Sequence, residues 1–156
     1  MKNVPIGIGY YLAGFADGEG SFNVSFRPRP DFKQKWKVSV CFNVSQKDKV
    51  ILALYKRWLG CGTLRSRPDG VWYYEVNNLV AIRECVIPFF RKFGFLSAKK
   101  KRDFSKFQQI VRLIEEEKHL TESGIKEILD IREEMNDGGK RKYSRKEIEE
   151  SPETTR

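Results

Sequence analysis

Two stretches of the chain alternate apolar and polar residues with the same parity, and this pattern restricts the fold more than any other feature of the 156 residues. Between Ser21 and Arg29, Phe22, Val24 and Phe26 are apolar, while Ser21, Asn23, Ser25, Arg27 and Arg29 are polar. Between Lys35 and Val44, Trp36, Val38, Val40, Phe42 and Val44 alternate with Lys35, Lys37, Ser39 and Asn43. Successive side chains of a strand point to opposite faces, so both stretches predict antiparallel strands with one buried and one open face. Pro28, Pro30 and Asp31 mark the turn between them. A second hairpin is predicted from Thr63 to Arg67 and from Val71 to Asn77, around a Pro68-Asp69-Gly70 turn. Trp72, Tyr74 and Val76 share its inner face, and Thr63, Arg65, Arg67, Tyr73, Glu75 and Asn77 its outer one.

Helical spacing fills the intervals. Tyr11, Leu12 and Phe15 recur between Ile8 and Asp17, and Val50, Ile51, Leu54, Tyr55 and Trp58 recur between Lys47 and Leu59, where Gly60 acts as a stop. Ile82 to Phe93, Lys99 to Lys118 and Thr121 to Met135 read as further helices. The resulting order is αββαββα, an α+β arrangement with helices on one face of an antiparallel sheet. One domain is expected over residues 1–138. Residues 139–156 are highly charged and nearly free of apolar side chains, which predicts a flexible tail.

Thirty Lys and Arg against twenty-one Asp and Glu leave a net charge of +9, which points to a polyanion and to nucleic acid before an acidic membrane. Between residues 20 and 49 the basic residues are Arg27, Arg29, Lys33, Lys35, Lys37, Lys47 and Lys49, with Asp31 and Asp48 the only acids. A ribbon that mixes these with Asn, Ser, Thr, Tyr and Glu can hold phosphates while reading base edges in a major groove. Readers of single-stranded RNA place aromatics outward for stacking. Here only Tyr73 is on the outer parity, so a duplex is favoured.

Other chemistries lack their residues. Three cysteines without a C-x-x-C pair, and a single histidine in a charged stretch, argue against a zinc site, a histidine base and an oxidising compartment. The run from Val4 to Ala16 after Lys2 imitates a secretory signal, but Pro5, its glycines and the acids that follow oppose that reading. No apolar run approaches the ~20 residues that span a bilayer.

The first helix raises a separate problem. It ends in Asp17 and Glu19, and carboxylates at a helix C-terminus face the negative end of its dipole, so something must compensate them. Ala13, Gly14 and Gly18 make one side small enough for a second backbone to approach. If the partner is a copy of the same helix, two sets of acids meet at a two-fold axis beside a basic surface. Mg²⁺ commonly takes one or two carboxylates plus phosphate oxygens and water, and activates water for phosphodiester hydrolysis.

The segment Leu12-Ala13-Gly14-Phe15-Ala16-Asp17-Gly18-Glu19-Gly20 closely resembles the signature of the LAGLIDADG homing endonucleases. The likeness continues through Gln46-Lys47-Asp48, Leu59-Gly60-Cys61-Gly62 and Lys99-Lys100 ahead of Asp103-Phe104. It implies a saddle-shaped sheet with helices on the opposite face and double-strand cuts across the minor groove that leave short 3′ overhangs. A single motif implies a homodimer on a long pseudo-palindromic DNA site, with Ala13, Gly14, Asp17 and Gly18 at the helix pair.

By the same resemblance Glu19 is the catalytic metal ligand, aided by the Gly18 carbonyl. Gln46 contacts active-site water, and Lys100 polarises the solvent network or the scissile phosphate. Asp17 supports the helix junction. Where some relatives carry an arginine four residues after the glutamine, this chain has Val50. Mg²⁺ is the implied cofactor, with Mn²⁺ as a substitute. DNA contacts are expected from Asn23, Ser25, Arg27, Arg29, Lys33, Lys35, Lys37, Ser39, Asn43, Arg65, Arg67, Tyr73 and Glu75. The implied setting is intracellular: cytoplasm or nucleoid, or an organelle matrix. Two alternatives share the fold: an intron maturase, which would add intron RNA as a partner, and a catalytically silent DNA-binding regulator.

Overall fold

The computed structural model describes residues 3–138 and 141–154. Helix α1 (Ile6–Glu19) leads into β1 (Gly20–Pro28) and β2 (Trp36–Gln46), then α2 (Lys49–Leu59), β3 (Thr63–Ser66) and β4 (Trp72–Val76). Next come α3 (Leu79–Ala81), a π-helical turn (Ile82–Val86) and α4 (Ile87–Phe93), followed by α5 (Ala98–Glu115), α6 (Glu122–Glu133) and α7 (Arg145–Thr154). The π turn precedes Pro88, whose missing N–H and bulky ring would otherwise disrupt a regular helix there.

The four strands form one sheet in the order β1-β2-β4-β3. β4 pairs antiparallel with β2, Asn43 opposite Glu75, and with β3, Arg65 opposite Tyr73. The α+β class and the strand alternation therefore agree with the sequence reading. Phe22, Val24, Phe26, Trp36, Val38, Val40, Phe42 and Val44 are all buried, as period-two strands with one covered face require.

Within the span expected as one domain, the chain gathers into two compact units. One holds residues up to Asn23 with Cys41–Lys101, and the other holds Val24–Val40 with residues from Arg102 onward. In the first, the Phe90 ring of α4 lies 5.7 Å from Phe22 and 5.0 Å from Phe42, while α2 buries Leu52, Tyr55 and Leu59 along one helical face. Asp48 caps α2 by accepting from the Val50 amide, and Gly60 ends it in the left-handed region at φ 75°. The Tyr55 hydroxyl donates to the Leu12 carbonyl, which ties α2 to α1. Gly9 is required by close packing: a Cβ there would lie 2.1 Å from the Phe93 ring.

In the second unit, the Arg132 guanidinium of α6 stacks 4.7 Å over Phe26, and the Trp36 and Tyr143 rings meet edge to face at 5.1 Å. Residues 145–154, expected as part of a flexible tail, form α7 instead. Ser144 and Glu147 make a reciprocal capping box, with the Ser144 amide donating to Glu147 and the Glu147 amide to the Ser144 hydroxyl. Ile148 is 2% exposed, and Arg145 pairs with Asp130 and Glu133 of α6 and with Glu149 of its own helix. One well-placed apolar residue and a set of complementary charges suffice where composition suggested none would. Residues 139, 140, 155 and 156 lie outside the described residues. Among the described residues no helix is long and apolar enough to cross a membrane.

Candidate active site and nucleic-acid interface

The end of α1 is the centre of the candidate site. Gly20 leaves the helix in an extended conformation, its N–H still donating to the Ala16 carbonyl. A Cβ on Gly20 would stand 2.8 Å from that carbonyl oxygen, so the change from helix to strand needs glycine here. Glu19 is exposed and makes no side-chain hydrogen bond or ion pair with any described residue. The last carbonyls of α1, Gly18 among them, lie beyond the reach of the helix's own N–H groups.

Lys100, in the first turn of α5, is 8% exposed and its Nζ donates to the Gly20 carbonyl. A buried ammonium is thereby held one residue from Glu19. Gln46 closes β2, half-buried, with its side-chain oxygen accepting from the Lys47 amide at 3.0 Å. β1 and β2 are neighbours joined by one turn, so the start of β1 and the end of β2, with Gln46, lie at the same end of the sheet.

Asp17 serves a different purpose from Glu19. One carboxylate oxygen accepts from the Leu96 and Ser97 amides at 2.9 and 3.1 Å, and the other from the Ser97 hydroxyl at 2.5 Å. Ser97 in turn caps α5 by accepting from the Lys100 amide. Partial burial alone would raise the Asp17 pKa, but the Ser97 hydroxyl, the two amides and the Lys100 charge together hold it below its ordinary value. The acid is compensated by the N-terminus of another helix, and with it the start of α5 that carries Lys100 is fixed.

The open face of α1 differs from the expected one. Gly7, Gly14 and Gly18 have empty space where a Cβ would project, and Tyr11 is 54% exposed between them. Positions 7, 11, 14 and 18 follow one helical stripe. Of the residues expected at the helix pair, Ala13 is 1% exposed and packs in the core, and the Asp17 carboxylate is bonded to Ser97, while Gly14 and Gly18 lie on the open stripe. Gly7 and Tyr11 share that open stripe. Their helical phase was readable in the sequence, although the motif drew attention to its later residues.

In the first unit, the sheet's open face carries Asn23, Asn43, Arg65, Arg67, Tyr73 and Glu75. Asn23 accepts from the Ser21 hydroxyl at 3.1 Å. Arg65 pairs with Glu75 at 3.4 Å, Asn77 donates to the same carboxylate at 3.0 Å, and the Arg67 guanidinium lies 3.6 Å from the Tyr73 ring centroid. Cys41, absent from the expected set, receives the Asn43 amide at 3.8 Å; burial first, then the Glu75 charge, push its thiol up to about 11.

In the second unit, Ser25, Arg27, Lys33 and Lys35 are exposed, while Arg29, Lys37 and Ser39 are half-buried. Arg29 grips Asp31 with two bonds of 3.0 Å and stacks on Phe32, and Lys35, at φ 63°, donates to the Pro30 carbonyl. These two cations brace the turn itself.

Glu19 and the Gly18 carbonyl offer hard oxygen donors, which suit Mg²⁺ or Mn²⁺ rather than a thiolate-seeking metal. Among the described residues no three His, Cys, Asp or Glu gather as a metal cage.

Comparison with known proteins agrees with the motif. A family model described as LAGLIDADG endonuclease matches residues 12–111. A probable intron-encoded endonuclease 2 of Neurospora crassa is 33% identical over 132 residues, covering 82% of this chain and 29% of the relative. The chain therefore spans less than a third of that relative's length. Among solved structures, the homing endonuclease I-TnaI superposes with a TM-score of 0.81 at 28% identity, over 99% of this chain and 100% of the other. The I-LtrWI LAGLIDADG homing endonuclease bound to its target DNA superposes with a TM-score of 0.85 at 31% identity, over 95% of this chain and 50% of the other.

Proposed function

The chain belongs to the LAGLIDADG endonuclease family, and from that premise we propose that it is an intron-encoded, site-specific DNA endonuclease that works as a homodimer with Mg²⁺. The observation that carries the reading is the Lys100 ammonium held at the Gly20 carbonyl, one residue along the chain from Glu19, which is exposed and bonded to no described residue. Burying an ammonium costs stability, so its placement one residue from Glu19 calls for a use. Hydrolysis of a phosphodiester has a use for both.

Glu19 and the Gly18 carbonyl would hold the metal. When bound, the ion supplies an activated water and stabilises the leaving oxygen. Lys100 places positive charge where a phosphate gains negative charge, and Gln46 offers an amide to orient solvent at the same end of the sheet. Asp17 keeps α5 and its lysine in register. The outward Arg, Lys, Asn and Ser side chains of β1 to β4 suit phosphates and base edges of a duplex.

The gly-lined face of α1 supports pairing with a second copy, because close helix approach needs small residues on both sides. Agreement with all of the I-TnaI chain and half of the I-LtrWI chain is in keeping with one such half per subunit. A two-fold pair would read a pseudo-palindrome and cut both strands, with short 3′ overhangs. An intracellular setting follows from a DNA substrate.

The test is incubation of purified protein with Mg²⁺ and a randomised duplex library, beside the Glu19→Gln variant. Site-specific double-strand cuts by the wild type alone support the proposal. Binding without cuts by either protein points to a regulator, and preference for structured intron RNA to a maturase.

A further inference from the structure

We infer that Glu75 is a positioning residue that holds Arg65 for reading a guanine in the major groove, so that the pair sets specificity at one base pair. The inference rests on the open sheet face meeting duplex DNA, as proposed above.

An acid in the middle of a polar, basic surface repels phosphate and calls for a reason. Glu75 is the anchored member of its pair: its side chain is 19% exposed against 65% for Arg65. The carboxylate is divided between two donors, with Oε2 accepting from Arg65 Nη2 and Oε1 from Asn77 Nδ2. Asn43 and Thr63 stand directly opposite Glu75 on the two flanking strands, so both sides of the residue are occupied.

Arg65 faces outward from this mooring. Tyr73 is its cross-strand partner, and Arg67 is already stacked on that ring, so the neighbouring cation is held apart from the Glu75 carboxylate. Arg65 gives one N–H to Glu75 and keeps the rest of a planar fork of five donors. Guanine presents two acceptors, O6 and N7, spaced for such a fork. A phosphate offers acceptors in many directions and needs no clamp, whereas a base edge rewards an arginine fixed in advance.

The experiment starts from the duplex that wild-type protein selects from a randomised library, followed by binding and cleavage across every single-base variant of that site. Arg65→Ala should lose about ten- to a hundredfold of the preference for guanine at one base pair, with other positions and the salt slope of binding unchanged. Glu75→Gln keeps one acceptor where two are needed; it should flatten preference at the same base pair, with an unchanged melting temperature. Uniform loss across all variants with a salt slope reduced by about one would make Arg65 a phosphate anchor and overturn the inference. So would an effect of Glu75→Gln at a different base pair, which would make the acid a direct reader, or no effect at all. If the wild type selects no site, the proposed function fails instead.

Discussion

The Asp17 carboxylate receives the Ser97 hydroxyl at 2.5 Å while its other oxygen takes the Leu96 and Ser97 amides, binding the end of α1 to the start of α5. Loss of an N-terminal helix cap typically costs about 0.5–2 kcal/mol. Asp17→Ala should destabilise the protein by that order in urea denaturation, whereas Asp17→Asn, which keeps one acceptor, should cost less. Because the folded pKa lies below the ordinary 3.8, the contribution of Asp17 is present at neutral pH and fades as pH falls below roughly 4. The stability difference between wild type and Asp17→Ala should therefore shrink on acidification in that window. A difference that grew would refute the latch.

Two glycines of α1 should respond in opposite ways. At Gly14 an added Cβ meets nothing within 4 Å, so Gly14→Leu should leave the single chain as stable or more so, by up to about 1 kcal/mol of helix propensity. The same change should abolish association measured by sedimentation. At Gly9 the Cβ would meet the Phe93 ring, and Gly9→Ala should destabilise the chain by about 1–3 kcal/mol.

Lys100 is expected to act on the reaction rather than on affinity. Lys100→Ala should lower the single-turnover cleavage rate by about two orders of magnitude or more while duplex binding stays within a few-fold. Equal loss of binding and cleavage would instead mark a lysine that only holds the Gly20 carbonyl and the local fold.

For α7 the decisive residue is Ile148. Truncating a fully buried isoleucine to alanine costs roughly 2–5 kcal/mol in well-packed sites. Ile148→Ala should approach the lower end of that range, and Lys146→Ala, on the exposed side, should do almost nothing. Equal and negligible effects in denaturant melts would mean that α7 is not part of the packed structure.

Much of the fold was legible in the sequence, because period two and period 3.6 are local properties of a covalent chain. The buried set of β1 and β2 is the apolar parity of Phe22 to Val44, residue for residue. The Leu12–Gly20 segment likewise carried the family and singled out Glu19. Composition misled at residues 145–154, where a capping box and Ile148 were outweighed by the surrounding charge; their value depends on Asp130 and Glu133, which are distant in sequence. The motif already ranked Glu19 above Asp17, but only the tertiary structure gave the physical reason. Both are acids at one helix end, and what distinguishes them is Ser97, about eighty residues away, which takes one carboxylate into a cap while the other is bonded to no described residue. It also moved the open face of α1 from Ala13 to Gly7 and Tyr11, because which side of a small-residue helix is covered depends on the rings and helices packed against it, and spacing does not contain them.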